Sequence, residues 1–127
     1  MRGACLCGGV VFEATPPLRE VIACHCSQCR KTSGHVWAGV PVARAGLTIH
    51  DDGHLRWYRS SPGAERGFCA GCGASLFWRT EAADEVYLGA GTLDAPTGLR
   101  LARHIFVADK ADYDRIDDGL PQSATWE

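Results

Sequence analysis

Leu55-Arg56-Trp57-Tyr58-Arg59 is a short, partly alternating run rich in aromatic residues, and it stops at the turn signal Ser61-Pro62-Gly63. Alternation sends successive side chains to opposite faces of a pleated strand, and aromatic residues suit that half-buried surface. The same pattern repeats in both directions along the chain. Turn signals recur at Gly8-Gly9, Pro16-Pro17, Ser33-Gly34, Asp51-Asp52-Gly53, Gly71-Cys72-Gly73, Pro96-Thr97-Gly98 and Asp118-Gly119. Between them lie the candidate strands Val10–Ala14, Val21–Ala23, Val36–Val42, Leu47–His50, Ser75–Arg79, Val86–Ala90 and Leu101–Val107. Sustained apolar spacing at three and four residues is missing, so helix is expected only as short turns near Ser27–Lys31 and Ala111–Ile116. Short strands at regular spacing predict a mainly β, small single-domain fold of antiparallel strands over residues 1–127.

Composition agrees with one ordinary globular domain: 127 residues, 46% hydrophobic and 22% charged. The formal charge of −2 comes without a Lys/Arg block, so no electrostatic footprint for nucleic acid is expected. Met1-Arg2-Gly3-Ala4-Cys5 lacks the apolar run of a signal peptide, and no stretch reaches the ~18 apolar residues of a membrane helix. A cytoplasmic location is expected, where thiols stay reduced.

Against that background, 7 cysteines call for an explanation, and their odd number forbids complete disulfide pairing within one chain. They fall in three clusters: Cys5-Leu6-Cys7-Gly8-Gly9, Cys24-His25-Cys26-Ser27-Gln28-Cys29 and Cys69-Ala70-Gly71-Cys72-Gly73. The third has the form of a zinc knuckle, two thiolates that can face one tetrahedral ion at about 2.3 Å with glycine turning the backbone beneath them. The first cluster, also a pair followed by glycine, is its natural partner. Four thiolates from two distant pairs would close a structural site and staple the N-terminus to the middle of the chain. Cys24, Cys26 and Cys29 are left over, and three protein ligands with one open position is the pattern of catalytic zinc. Other readings of the middle cluster stay open: a fourth ligand from His25, His35 or His104, a reduced metal-free thiol cluster, or redox chemistry.

Three thiolates on a dication leave net negative charge, which makes the ion a poor activator of water. Accepting a thiol and holding it as thiolate is the better use of such a site. Arg30-Lys31-Thr32-Ser33-Gly34 follows at once, and its cations could offset the thiolate charge or bind the carboxylates of an anionic thiol. The alternative for Arg30 and Lys31 is a plain solvated turn.

At these residues the chain resembles the glutathione-dependent formaldehyde-activating enzymes and the related centromere protein V domain. The matching text is Cys5-x-Cys7-Gly8-Gly9, Cys24-His25-Cys26-Ser27-Gln28-Cys29-Arg30-Lys31-Thr32-Ser33-Gly34 and Phe68-Cys69-x-x-Cys72-Gly73. The tail adds His104-Ile105-Phe106-Val107-x-x-Lys110 and Asp118-Gly119-Leu120-Pro121, so the likeness runs almost end to end. The resemblance implies a β-tent fold, a structural zinc on Cys5, Cys7, Cys69 and Cys72, and a second, catalytic and exchangeable zinc on Cys24, Cys26 and Cys29. It implies a carbon–sulfur lyase joining glutathione to formaldehyde, with Gln28, Arg30, Lys31 and Ser33 as candidate ligand-binding residues. Tyr113 stands where many relatives carry Trp.

The remaining aromatic and histidine residues have blander expectations. Trp37, Trp57, Trp78 and Phe77 read as core, with a pocket wall as the alternative. His25 and His104 read as satisfied side chains more than as ligands, and His35, His50 and His54 as surface or turn residues. The competing functions are a non-catalytic zinc or glutathione carrier and an interaction module. A sulfoxide-reductase role would need a redox cysteine outside the clusters, and there is none.

Overall fold

In this computed structural model, which describes residues 1–126, the chain runs β1 (Arg2–Ala4), β2 (Val10–Ala14), β3 (Val21–Cys24), α1 (Ser27–Ser33), β4 (Trp37–Ala43), β5 (Leu47–Asp51) and β6 (Leu55–Ser61). It continues with β7 (Ala64–Cys69), β8 (Ser75–Thr80), β9 (Glu85–Gly89) and β10 (Leu101–Ile105), with short 3-10 turns between some strands. The fold is mainly β, as expected. The Pro62-Gly63 turn closes the β6–β7 hairpin, with Gly63 at φ 76° where a side chain would be strained.

Two sheets form. One has the order β1-β2-β5 and the other β10-β3-β4-β9-β8-β7-β6. Their inner faces supply the core: Val10, Phe12 and Ala14 of β2 meet Val40, Val42, Phe77 and Leu88 of the larger sheet. Phe12 and Phe77 pack edge to face, centroids 5.2 Å apart. Gly3 is needed here for space, since a Cβ on it would fall 2.3 Å from the Phe12 ring. No helix among the described residues is long and apolar enough to cross a membrane.

Three expectations are corrected. The stretch Ala111–Ile116 is not helical; it makes one turn, closed by Asp114 N–H on the Ala111 carbonyl at 3.0 Å, and no apolar periodicity carries it further. β1 and β7 are strands where none was expected, because Arg2-Gly3-Ala4 and Glu65-Arg66-Gly67 carry no apolar alternation and are held by pairing on their neighbours. β10 pairs parallel to β3 while every other described strand pair is antiparallel. That parallel pair sets Ile105 beside Cys24.

Candidate functional site

Cys5 and Cys7 follow β1, while Cys69 ends β7 and Cys72 lies in the turn before β8. Each pair sits on a matching knuckle. Gly8 N–H bonds the Cys5 carbonyl at 3.3 Å, Gly73 N–H bonds the Cys69 carbonyl at 2.7 Å, and both glycines adopt positive φ. The two knuckles converge until all four sulfurs lie within 4.8 Å of one another. Cys7 Sγ is 3.7 Å from Cys5 Sγ and 3.7 Å from Cys69 Sγ. A tetrahedron of sulfurs at about 2.3 Å from zinc has edges of about 3.8 Å, so the donors fit that ion without rearrangement. Backbone donors already favour thiolate: Val10 N–H reaches Cys5 Sγ at 3.3 Å, and the N–H groups of Cys7 and Ala74 bring the Cys72 thiol down to about 6.

The second cluster is built by the end of β3 and the start of α1. Cys24 is held between Trp37 of β4 and Ile105 of β10. Cys26 is the N-cap of α1, its sulfur accepting from Cys29 N–H at 3.4 Å, and Gly34 ends the helix in the left-handed region at φ 90°. Cys29 is buried on the helix. The three sulfurs lie within 4.8 Å of one another, and no histidine joins them. Contacts from Cys24 and then Cys29 hold the Cys26 thiol far down, and the same Cys26 contact pushes Cys24 up. A soft divalent ion such as zinc suits this donor set.

These sulfurs open on a cavity of about 510 Å³ whose polar wall consists mainly of Cys24, Cys26, Ser27, Gln28, Cys29 and Arg66. Arg66, on β7, is 94% buried by its 6% exposure. One of its Nη atoms donates to Cys29 Sγ at 3.6 Å and to Gln28 Oε1 at 3.3 Å, while its Nε is buried without a partner. The sequence reading missed this residue. Its one signal is a charged residue followed by Gly67 and Phe68 just before a metal knuckle.

The other expected ligand-binding residues sit differently. Gln28 lines the cavity, and its amide also donates to the Ser60 carbonyl at 3.2 Å. Arg30 donates to the Asp109 carbonyl at 3.0 Å, Lys31 is exposed, and Ser33 donates to the Cys29 carbonyl at 2.7 Å. None of these three is in the cavity wall.

Behind the cluster runs a histidine relay. His25 Nε2 lies 2.9 Å from His104 Nδ1, and His104 Nε2 lies 2.7 Å from Asp118 Oδ2. Both histidines are buried and hydrogen-bonded, as the satisfied side chains expected from sequence. The carboxylate fixes the proton on His104 Nε2, which leaves Nδ1 to accept from His25. Burial first, then His104, keeps His25 below its ordinary pKa. His35 pairs with Tyr113 at 3.2 Å, and His50 and His54 are exposed.

The sequence matches the family described as glutathione-dependent formaldehyde-activating enzyme over residues 1–109. It is 26% identical over 116 residues to an uncharacterized lyase of Schizosaccharomyces pombe, covering 87% of this chain and 81% of that protein. The fold is similar to a crystal structure of a Rhodobacter sphaeroides protein, with a TM-score of 0.65 at 18% identity, covering 96% of this chain and 99% of the other.

Proposed function

This chain belongs to the glutathione-dependent formaldehyde-activating enzyme family, and from that premise we propose that it is a carbon–sulfur lyase that joins glutathione reversibly to a small aldehyde. The observation that carries the reading is the three-sulfur cluster facing a cavity beside a buried arginine. Zinc bound there would lower the pKa of an incoming thiol and hold it as thiolate. Cys24, Cys26 and Cys29 would hold the ion, and Cys5, Cys7, Cys69 and Cys72 a separate structural ion. Arg66 balances the negative charge of the sulfurs. As the cation of the cavity wall, its guanidinium is the group that would stabilise the oxygen that turns anionic when sulfur adds to the carbonyl. Gln28 orients Arg66 by accepting from it. Arg30 and Lys31, outside the wall, are proposed to meet the carboxylates of the thiol at the mouth. Such ligands must stay reduced, which fits the cytoplasm.

The test is exchange between glutathione, formaldehyde and their adduct at equilibrium, read as a rate against protein concentration. The reading expects acceleration proportional to protein, lost in Cys26→Ser. A pure carrier would bind the adduct and leave the rate constants unchanged, and that result would refute catalysis.

A further inference from the structure

The cavity beside Cys24, Cys26 and Cys29 has a second wall that formaldehyde does not need. It is made by Trp37, Trp78, Tyr87, Phe106 and Trp126, drawn from five separate parts of the chain. Trp78 meets Tyr87 edge to face at 5.5 Å, and Tyr87 meets Trp126 edge to face at 6.3 Å, so the rings are set before any ligand arrives. The Arg103 guanidinium lies 5.8 Å from the Trp126 ring and braces the end of this ladder. Phe106 is the one non-glycine residue with positive φ among the described residues, at φ 56° and ψ 38°. A bulky residue held in the left-handed region is a strain that folds keep where it places a group at a site. Its N–H is tied to the Thr125 carbonyl at 2.9 Å, which joins it to the tail carrying Trp126.

Among the described residues, Arg66 is the single cation in the wall, and no carboxylate lines it. Glutathione carries carboxylates and an ammonium group, and aromatic carbon cannot replace their water. Its peptide ends therefore belong outside this wall, with only its sulfur reaching inward. A hydroxymethyl group, with one carbon and one oxygen, would leave the rings uncovered.

We infer that the aromatic wall receives the aryl group of an aromatic aldehyde or 2-oxoaldehyde, so that this site handles the thiohemiacetal of glutathione with an aryl-bearing carbonyl. The inference rests on the lyase reading and names its substrate class. The chemistry balances without a redox partner. The thiol gives up its proton, sulfur bonds to the carbonyl carbon, the π pair moves to oxygen, and that oxygen takes a proton back. Breakdown reverses each step.

The stable thioethers S-benzylglutathione and S-methylglutathione test this through quenching of tryptophan emission on the zinc-loaded protein. The benzyl compound is expected to bind at least about tenfold more tightly, since even one methylene in an apolar pocket discriminates by about 10- to 200-fold. That advantage should shrink several-fold in Trp78→Ala and in Trp126→Ala. Trp126 is 42% exposed and outside the core, so its truncation leaves the fold intact even if the Trp78 variant fails to fold. Equal affinities, or an advantage unchanged in the Trp126 variant, would overturn the inference. Exchange with formaldehyde, run alongside, decides the lyase reading by itself. A benzyl advantage without any acceleration rejects the lyase and keeps the aromatic pocket. Acceleration without a benzyl advantage does the reverse.

Discussion

Arg66 shows how one side chain ties the site together. It sits in the middle of β7 with a buried guanidinium, held by its contacts with Cys29 Sγ and Gln28 Oε1. Replacing it removes a charge-assisted donor, an effect of about 1.5–3 kcal/mol. Arg66→Leu should therefore lower kcat/KM for adduct exchange by roughly ten- to a hundredfold, while bound zinc at the four-cysteine site is unchanged on metal analysis. Asp118 works at the far side of the cluster. The His104 ring first, and Leu120 N–H second, hold its carboxyl below the ordinary value of 3.8. A carboxyl depressed by folding stabilises above its unfolded pKa, and this contribution is lost as pH falls through the lower folded value. Denaturation midpoints measured from pH 6 downward should thus fall more steeply for the wild type than for Asp118→Asn. An equal pH slope would remove the His104–Asp118 bond from the account.

At the scale of elements, α1 is seven residues long and depends on its ends. Gly34 closes it at φ 90°, with nothing within 4 Å of where a Cβ would stand. Gly34→Ala should then cost only the left-handed backbone penalty, about 1–2 kcal/mol, read as a lower denaturant midpoint. Sequence made α1 legible because Ser27–Lys31 precedes a Ser33-Gly34 stop. It made β2 legible to the residue, since Val10–Ala14 is apolar but for Glu13 and bounded by turns. It hid β7, because Glu65-Arg66-Gly67 has no strand pattern of its own and is recruited by β6 and β8. Arg66 was lost with it. The His25–His104 contact was hidden for a different reason. It spans 79 residues and exists only because β10 lies parallel to β3, which no local pattern encodes. The aromatic wall was half legible: Trp37 and Trp78 stood out as large side chains, but which of them faced a cavity depends on sheet register.

Over the whole molecule, the four-cysteine knuckles join β1, on the edge of the small sheet, to β7 and β8 of the large one. The apolar layer between the sheets does the rest, with Phe12 fully buried at its centre. Phe12→Ala should cost about 3–5 kcal/mol by chemical denaturation. Cys69→Ser should be worse in a distinct way, with stability no longer responding to added zinc at that site, because metal binding there is linked to folding. The sulfur groupings were legible because ligand spacing is local, and their convergence follows from glycine turns that the sequence also marks. On the proposed function, Cys24, Cys26 and Cys29 form an open metal centre that takes a thiol. This is tested most directly by loading the protein with cobalt in place of zinc and titrating with glutathione while recording sulfur-to-cobalt charge-transfer absorption. About two cobalt ions per chain are expected for the wild type and about one for Cys26→Ser, from the two donor groups and their tetrahedral chemistry. A saturable rise in charge-transfer intensity with glutathione is expected in the wild type alone. A wild type that binds both ions and shows no spectral response to glutathione would contradict it.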